Sequence, residues 1–408
     1  MLYQAYQLQN DLMAPLRLWA DVSKRAFDME IWPGVSGVAT PWADRMKASV
    51  ELISHLKFTH TRPDYRIRTV QSGKDLFHVT EEVVLDLPFG NLLRFHTDNA
   101  YRQPKVLIIA AMSGHFATLL RETAEVMSRD HDVYITDWKN ARDVPLSAGA
   151  FGVDDYVDYL IKFMEAIGPG GHMVAVCQPC VQALVAAAVM AEDNNPATPL
   201  SMTLMAGPID TSQHPTVVNK LAGTKPLSWF EKNLISRVPA RHPGRGRRVY
   251  PGFVQLTAFM SMNVERHRSS HAKLFHHLAE GNLTEARKIK EFYDEYFAVA
   301  DISAEFYLET VDRVFQKMEL AKGEFTFRGR PVNPAAIRRT ALLTVEGGRD
   351  DICAIGQTAA AHDLCSSLRP HLKRHHLQAN VGHYGVFAGT KWENEIYPNV
   401  RNFILSME

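Results

Sequence analysis

The feature that most restricts the fold is an alternation. From residue 105 onward the short apolar runs KVLIIAA, DVYITDW, HMVAV and SMTLMAG recur, and between them lie FATLLRETAEVMSRD, VDDYVDYLIKFMEAIG and PCVQALVAAAVMA, with apolar residues at helical spacing. A short run that is apolar at every position is a strand covered on both faces, and the intervening helices supply the cover. The pattern predicts an α/β fold with a mostly parallel sheet. Ahead of it, VTEEVVLDLPFGNLLRFHT reads as two β-rich halves around Pro88-Phe89-Gly90, a hairpin signal.

The alternation stops near residue 211. As far as about 338 the chain offers helical segments, LTEARKIKEFYDEYFAVA and SAEFYLETVDRVFQKMELA, with no clear buried strand, and aromatic residues such as Phe292, Tyr293, Tyr296 and Phe297 crowd it. The α/β pattern then resumes with TALLTVEGG, a helix near IGQTAAAHDLCSSL, the strand-like KRHHLQA and a last amphipathic helix carrying Ile396, Val400, Phe403 and Ile404. Resumed strands need partners that lie earlier in the chain, so the helical stretch reads as an insertion over the carboxyl edge of one sheet. The expected organisation is an amino-terminal helical extension (1–62), the first part of the core (63–210), a helical cap or lid (211–338) and the second part of the core (339–408). In the extension, Leu8, Leu12, Leu16 and Trp19 mark one amphipathic helix and Met46, Val50, Ile53 and Leu56 a second, which would cap the core or dock on a partner.

Composition narrows the function. Acidic and basic residues balance at 45 each among 408, so no net field draws the chain to nucleic acid or to an anionic membrane. Arg241, Arg245, Arg247 and Arg248 form a local basic run, read as a solvated loop. Four cysteines are too few for a disulfide framework, which with the lack of a secretory signal pattern leads to a cytoplasmic expectation. No apolar run approaches the roughly 20 residues of a membrane span. Neither a GK[ST] phosphate loop nor a paired C-x-x-C zinc pattern is present, and His267 and His271, without an intervening H-E-x-x-H carboxylate, read as surface residues. No cofactor and no metal are expected.

Within the alternation, Cys177 stands where the strand HMVAV meets the helix PCVQALVAAAVMA. Three readings are open: a nucleophile, half of a C-x-x-C pair with Cys180, or a small buried hydrophobe. The residues Ala175-Val176-Cys177-Gln178-Pro179 fit the strand-turn-helix written G-x-S-x-G only loosely. The order of candidate partners strengthens that fit. Asp350 follows the strand ALLTV and His383, in Gly382-His383-Tyr384-Gly385, follows HHLQA, so nucleophile, acid and base fall in the chain order of α/β-hydrolases, each on a strand-end loop. Asp351 and Asp210 are competing acids. His383 would take the thiol proton, Asp350 would orient the imidazole, and the helix start favours a thiolate. The fold then calls for two backbone donors to the oxyanion, the Gln178 amide and one in Ala111-Met112-Ser113, with Met112 preferred and Ser113 next.

The segments VCQPC, MSGHFATLLRET, DVYITDWKNARDVPLSAG, GPIDT, FYDEYFAVADISAEFY, VEGGRDDICAIGQT and GHYGVFAG together resemble the intracellular polyhydroxyalkanoate (polyhydroxybutyrate) depolymerases of bacteria along almost the full chain. The resemblance implies an α/β-hydrolase that cleaves amorphous poly(3-hydroxybutyrate), with Cys177 as nucleophile through an acyl-cysteine, Asp350 as acid and His383 as base. It also implies a polyester granule surface or its oligomers as partner. Cys180 departs from the pattern expected in relatives, and related synthases carry a G-x-C-x-G-G elbow that Pro179 and Cys180 do not match. Acyl transfer or thiolysis by the same triad, with the arginine run as the candidate phosphate site, and a non-catalytic granule-binding protein are the alternatives.

Overall fold

A computed structural model describes residues 41–55, 58–98, 102–262 and 264–408, together with Tyr3, Tyr6, Pro15, Trp19, Val22 and Ser23 of the amino-terminal stretch. The sheet begins with β1 (Thr69–Ser72), β2 (Asp75–Leu87) and β3 (Gly90–Thr97). It continues with β4 (Lys105–Ile109), β5 (Asp132–Trp138), β6 (Gly171–Val176), β7 (Ser201–Met205), β8 (Ala341–Gly347) and β9 (Lys373–Gln378). These nine strands form one sheet in the order β1-β2-β3-β5-β4-β6-β7-β8-β9. β1 to β3 pair antiparallel, β3 joins β5 antiparallel, and every pairing from β5 to β9 is parallel. That is the strand order of an α/β-hydrolase.

The strands expected from the sequence are there, and so is the hairpin: Leu87 pairs with Gly90, leaving Pro88 and Phe89 to turn. β4 and β6 lie side by side although β5 comes between them in the chain, so the strand order reverses there and the carboxyl ends of β4 and β6 open a crevice, the usual ligand position of such sheets.

Four helices cover the sheet: α2 (Arg121–Met127), α3 (Val153–Ile167), α4 (Cys180–Glu192) and, at the carboxyl end, α8 (Tyr397–Leu405). Along α3 Val153, Tyr156, Val157, Leu160, Phe163, Met164 and Ile167 are buried at helical spacing, while Asp154 and Asp158 on the other side pair with Arg313 and Arg328. Every residue of α4 from Cys180 to Met190 is buried, which its run of alanines and valines permits. Gly207, just after β7, decides how closely α4 can start. A Cβ there would lie 2.2 Å from the Cys180 side chain and 2.9 Å from the Cys177 carbonyl oxygen.

The stretch between β7 and β8, two strands paired directly, holds α5 (Gly252–Met262), α6 (Val264–Ala279) and α7 (Leu283–Tyr296) among shorter helices. Two details differ from the sequence expectation. The stretch contains strands after all: Ser236–Arg237, Arg248–Tyr250 and Ile302–Ser303 make a small antiparallel sheet, and Thr326–Phe327 pairs with Arg330–Pro331. They are two or three residues long, too short to show a period. The helical pattern of SAEFYLETVDRVFQKMELA is also broken, into Ala304–Glu309, a π-helical turn Thr310–Gln316 and a short helix after Met318, whose φ is 55°. The expected helix near IGQTAAAHDLCSSL shrinks to Ala361–Leu364.

The basic run is corrected in part: Arg241 and Arg245 are exposed, as a solvated loop leaves them, but Arg247 and Arg248 are engaged. Arg247 is buried, its guanidinium donating to the carbonyls of Val144, Gly149 and Pro145 and stacking 4.9 Å above Phe89, and burial lowers its pKa; Arg248 pairs with Glu231. His267 and His271 are likewise half-buried, not surface residues: His267 Nδ1 lies 3.0 Å from the Tyr293 hydroxyl, and the His271 ring packs 4.2 Å from the Tyr293 ring. In the amino-terminal part, α1 (Pro41–His55) packs on α6 and α7, and its Glu51 pairs with Lys290. Tyr6 stacks on Phe253 at 3.9 Å and Tyr3 donates to Asp301 at 2.6 Å. Leu8, Leu12, Leu16 and Leu56 lie outside the described residues.

Because Gly207 has no space for a side chain against the start of α4, we expect Gly207→Ala to lower the urea midpoint of unfolding by an amount corresponding to about 1–3 kcal/mol or more, typical of an overpacked core. An unchanged midpoint would mean that α4 can retreat from β7 without cost.

Candidate functional site

Cys177 occupies the turn between β6 and α4 and has φ +70°. For a residue with a Cβ this left-handed conformation is strained, at a cost of about 1–3 kcal/mol, and it persists only where the surroundings hold it. Here the Cys177 amide donates to the Met205 carbonyl at 2.8 Å, the Cys180 amide donates to the Cys177 carbonyl at 3.2 Å, and the bare Gly207 backbone receives Cys180. The sulfur is thereby lifted to the crevice at the carboxyl edge, where Cys177 is partly exposed.

The other cysteines are different. Cys180, Cys353 and Cys365 are buried free thiols, and burial raises the pKa of each, that of Cys365 to about 12. The Cys180 thiol points inward, to the carbonyls of Ala175 and Met205. Among the described residues no group of three or more His, Cys, Asp or Glu side chains is placed to hold a metal ion.

The structure brings His383 and Asp350 to Cys177. His383 begins a helical turn after β9 and is buried, with Nδ1 2.8 Å from Asp350 Oδ2. Asp350 Oδ1 accepts from the amides of Ile352 and Cys353 at 2.9 and 2.8 Å, so both carboxylate oxygens are held. Burial by itself would lower the His383 pKa. The charge of Asp350, the sulfur of Cys177 and hydrogen bonds to both outweigh it and set the imidazole well above its ordinary value. Of the competing acids, Asp351 is exposed, while Asp210 is taken up by Ser212 and Gln213 on its own loop.

Backbone bonds fix the distance between acid and base. The Gly348 amide donates to the Gln378 carbonyl and the Arg349 amide to that of Val381, each at 2.8 Å, stitching the loops after β8 and β9 together. Glu346, at the end of β8, is buried and accepts from the amides of Gly356, Thr358 and Ala359 at 2.8–3.0 Å, which closes the acid loop from behind. Thr358 then exchanges hydrogen bonds with Gly207. Glu346 is a residue that sequence reasoning missed. Its one signal was an acidic residue inside a strand otherwise apolar, ALLTVEG.

The candidate oxyanion loop follows β4. Its last strand neighbour, Ala110, is held by three buried groups: its carbonyl accepts from Tyr156 at 2.7 Å and Trp138 at 2.8 Å, and its amide donates to Thr136 at 2.9 Å. Beyond it the Met112 amide donates to the Gln178 side chain at 3.1 Å, so the preferred donor is engaged by a group of the chain itself. The Gln178 and Ser113 amides make no hydrogen bond among the described residues. Ser113 lines a narrow cavity of about 40 Å³ together with Cys177, His115 and His383. Phe259, Ile352 and Tyr384 are common to this cavity and to a wider groove of about 270 Å³, where His267, Phe292 and Tyr296 also stand.

Two outcomes follow from this arrangement. Iodoacetamide should modify Cys177 in the folded protein, with Cys180, Cys353 and Cys365 reacting only after denaturation; mass mapping of the modified peptides checks it. The His383 imidazole should titrate well above pH 6.5, and Asp350→Asn, which removes a negative neighbour that favours the cation, should bring it down; nitrogen-15 spectra of labelled protein report both values.

The family model described as PHB de-polymerase C-terminus matches residues 206–408, which contain β8, β9, Asp350 and His383. No protein with a curated description matches the chain. Among solved structures it is similar to the monoacylglycerol lipase of Paleococcus ferrophilus, with 12% identity over 76% of this chain and 97% of that one and a TM-score of 0.43. It is also similar to the meta-cleavage product hydrolase of Pseudomonas fluorescens, with 14% identity over 83% and 98% and a TM-score of 0.42. No helix among the described residues is long and apolar enough to cross a membrane. Residues 206–408 thus match the model of the PHB de-polymerase C-terminus family, and the chain is an ester hydrolase on the α/β-hydrolase fold.

Proposed function

We propose that the protein hydrolyses ester bonds of amorphous poly(3-hydroxybutyrate), or its oligomers, at granule surfaces in the cytoplasm, through Cys177, His383 and Asp350. The observation that carries the reading is the strained turn at Cys177, whose side chain lines one narrow cavity with an imidazole that is itself bonded to a carboxylate. A left-handed cysteine has a cost that a buried hydrophobe would not need to bear.

His383 takes the thiol proton of Cys177. Sγ attacks the ester carbonyl carbon, and the oxyanion meets the Gln178 amide and one from the loop Met112–Ser113. If it is Met112, the Gln178 side chain swings aside as the oxyanion replaces it. The ester C–O bond breaks, His383 gives its proton to the departing alkoxide, and an acyl-cysteine remains. The now neutral imidazole takes a proton from water, whose oxygen attacks the acyl carbon; the hydroxyacid leaves and the sulfur regains its starting state. Asp350 keeps the tautomer and stabilises the cation throughout.

The residues 211–338 act as a cap over this edge. The aromatic wall of the wide groove suits a polyester, which is apolar along its length and gains roughly 25 cal/mol per Å² of buried apolar area before ordering costs. The arginine run named as a phosphate site for thiolysis by coenzyme A is reduced to the exposed Arg241 and Arg245, since Arg247 is spent on backbone carbonyls and Arg248 on Glu231.

With native amorphous granules the wild type should release hydroxyacid. Cys177→Ala should abolish release, and His383→Ala should lower it by about 10²–10⁴-fold, the range for a lost general acid–base. Undiminished release by Cys177→Ala, or none by the wild type, rejects the proposal.

A further inference from the structure

The hold on Asp350 Oδ1 can be followed outward, past the acid loop and into the cap. The Cys353 amide that donates to Oδ1 at 2.8 Å belongs to the same planar peptide group as the Ile352 carbonyl. That carbonyl oxygen lies 3.2 Å from the Thr216 hydroxyl, and among the described residues it has no other hydrogen bond. Thr216 stands at the start of the cap and caps the helix Val217–Thr224. The same short stretch holds the acid loop elsewhere too. The Asp210 amide donates to the Gln357 carbonyl at 3.1 Å, and His214 Nδ1 lies 3.0 Å from the Ile355 carbonyl oxygen.

A threonine hydroxyl has one hydrogen to give, and two acceptors are within its reach. Asn219 Oδ1, at 2.9 Å, is the nearer. Its lone pairs are already occupied, by the Thr216 amide at 2.8 Å and by Gln357 Nε2 at 2.9 Å. These partners fix the orientation of both side-chain amides: Gln357 Nε2 faces two oxygens, Asn219 Oδ1 and the Gln213 carbonyl at 3.0 Å, while Asn219 Oδ1 faces two N–H donors. Gln357 is fully buried, so bulk water does not compete for its bonds. The hydroxyl hydrogen therefore turns to the Ile352 carbonyl. We infer that Thr216 is a positioning residue for the acid: its O–H bonds the Ile352–Cys353 peptide group, whose N–H holds Asp350 Oδ1 while Oδ2 meets His383. A bond accepted by the carbonyl polarises the peptide group and strengthens donation by its N–H. This rests on the hydrolase reading above and adds the start of the cap to the parts that seat its acid. Gln357, by filling Asn219 Oδ1, keeps the hydroxyl turned to the acid loop.

The hydrogen on His383 Nδ1, in its bond to Asp350, gives a low-field signal in proton spectra that is read without substrate. Thr216→Val should move that signal upfield. It should also lower kcat on a soluble methyl ester trimer of (R)-3-hydroxybutyrate by about threefold to tenfold, the weight of one hydrogen bond, with KM unchanged. Thr216→Ser, which keeps the hydroxyl, should restore both. Gln357→Met should reproduce both changes with Thr216 and its helix cap in place, and it carries the test if Thr216→Val does not fold. Wild-type signal and kcat in either apolar variant, or equal changes in Thr216→Ser and Thr216→Val, would overturn the assignment while leaving ester hydrolysis intact. No cleavage of trimer or polymer by the wild type would remove the hydrolase reading, and the proton signal would still decide the place of Thr216.

Discussion

Much of the site depends on one backbone angle. Holding Cys177 at φ +70° requires that β6 end, turn and enter α4 within three residues, which is possible only because α4 starts against a glycine. The strain is local and the restraint comes from three directions: β7 receives the Cys177 amide, Gly207 receives Cys180, and the buried apolar faces of α4 lock the helix in place. Cys180, which could be read as a redox partner of Cys177, serves in this turn. Its thiol fills the space beside Gly207 and its burial disfavours the thiolate.

The acid and base are held by a second set of restraints of a different kind. Parallel pairing of β8 with β9 brings Gly347 opposite Gln378, and the next two amides of the acid loop continue the pairing onto the base loop. The buried Glu346 carboxylate then gathers the amides that return the loop to the core, and Thr358 ties that return to Gly207. Gly207 thus touches both sets, so the nucleophile turn and the acid loop are parts of one packed unit. The loop after β4 belongs to it through Ala110, whose polar atoms are satisfied by side chains of β5 and α3.

The stretch between β7 and β8 approaches the same edge from outside. After α7 the chain lies along the candidate oxyanion loop, where the Ala300 amide donates to the Gly114 carbonyl at 2.9 Å, and along Thr59 of the amino-terminal part. Its aromatic residues continue the cavity of Cys177 into the wide groove. A buried histidine at the junction of these pieces is in contact with the aromatic wall on one side and with the narrow cavity on the other.

The sequence by itself determined the sheet and its interruption, because strands covered on both faces must be apolar throughout and helices between them must be amphipathic or apolar, as in VLIIA, VYITDW and VDDYVDYLIKFM. It also determined the order of Cys177, Asp350 and His383 at strand ends, since topology leaves few places for them. Some local features had no period to read: strands of two or three residues, the π-helical turn at Thr310–Gln316, and the partly exposed edge strand β9, whose KRHHLQ resembles a loop as much as a strand. Tertiary structure alone decided that Arg247 is buried, that Gln178 engages the Met112 amide and that Glu346 braces the acid loop. It also decided that Asp350 and not Asp351 faces His383. The reason is physical: which partner a polar side chain finds depends on groups far away in the chain, and no local pattern of residues encodes them.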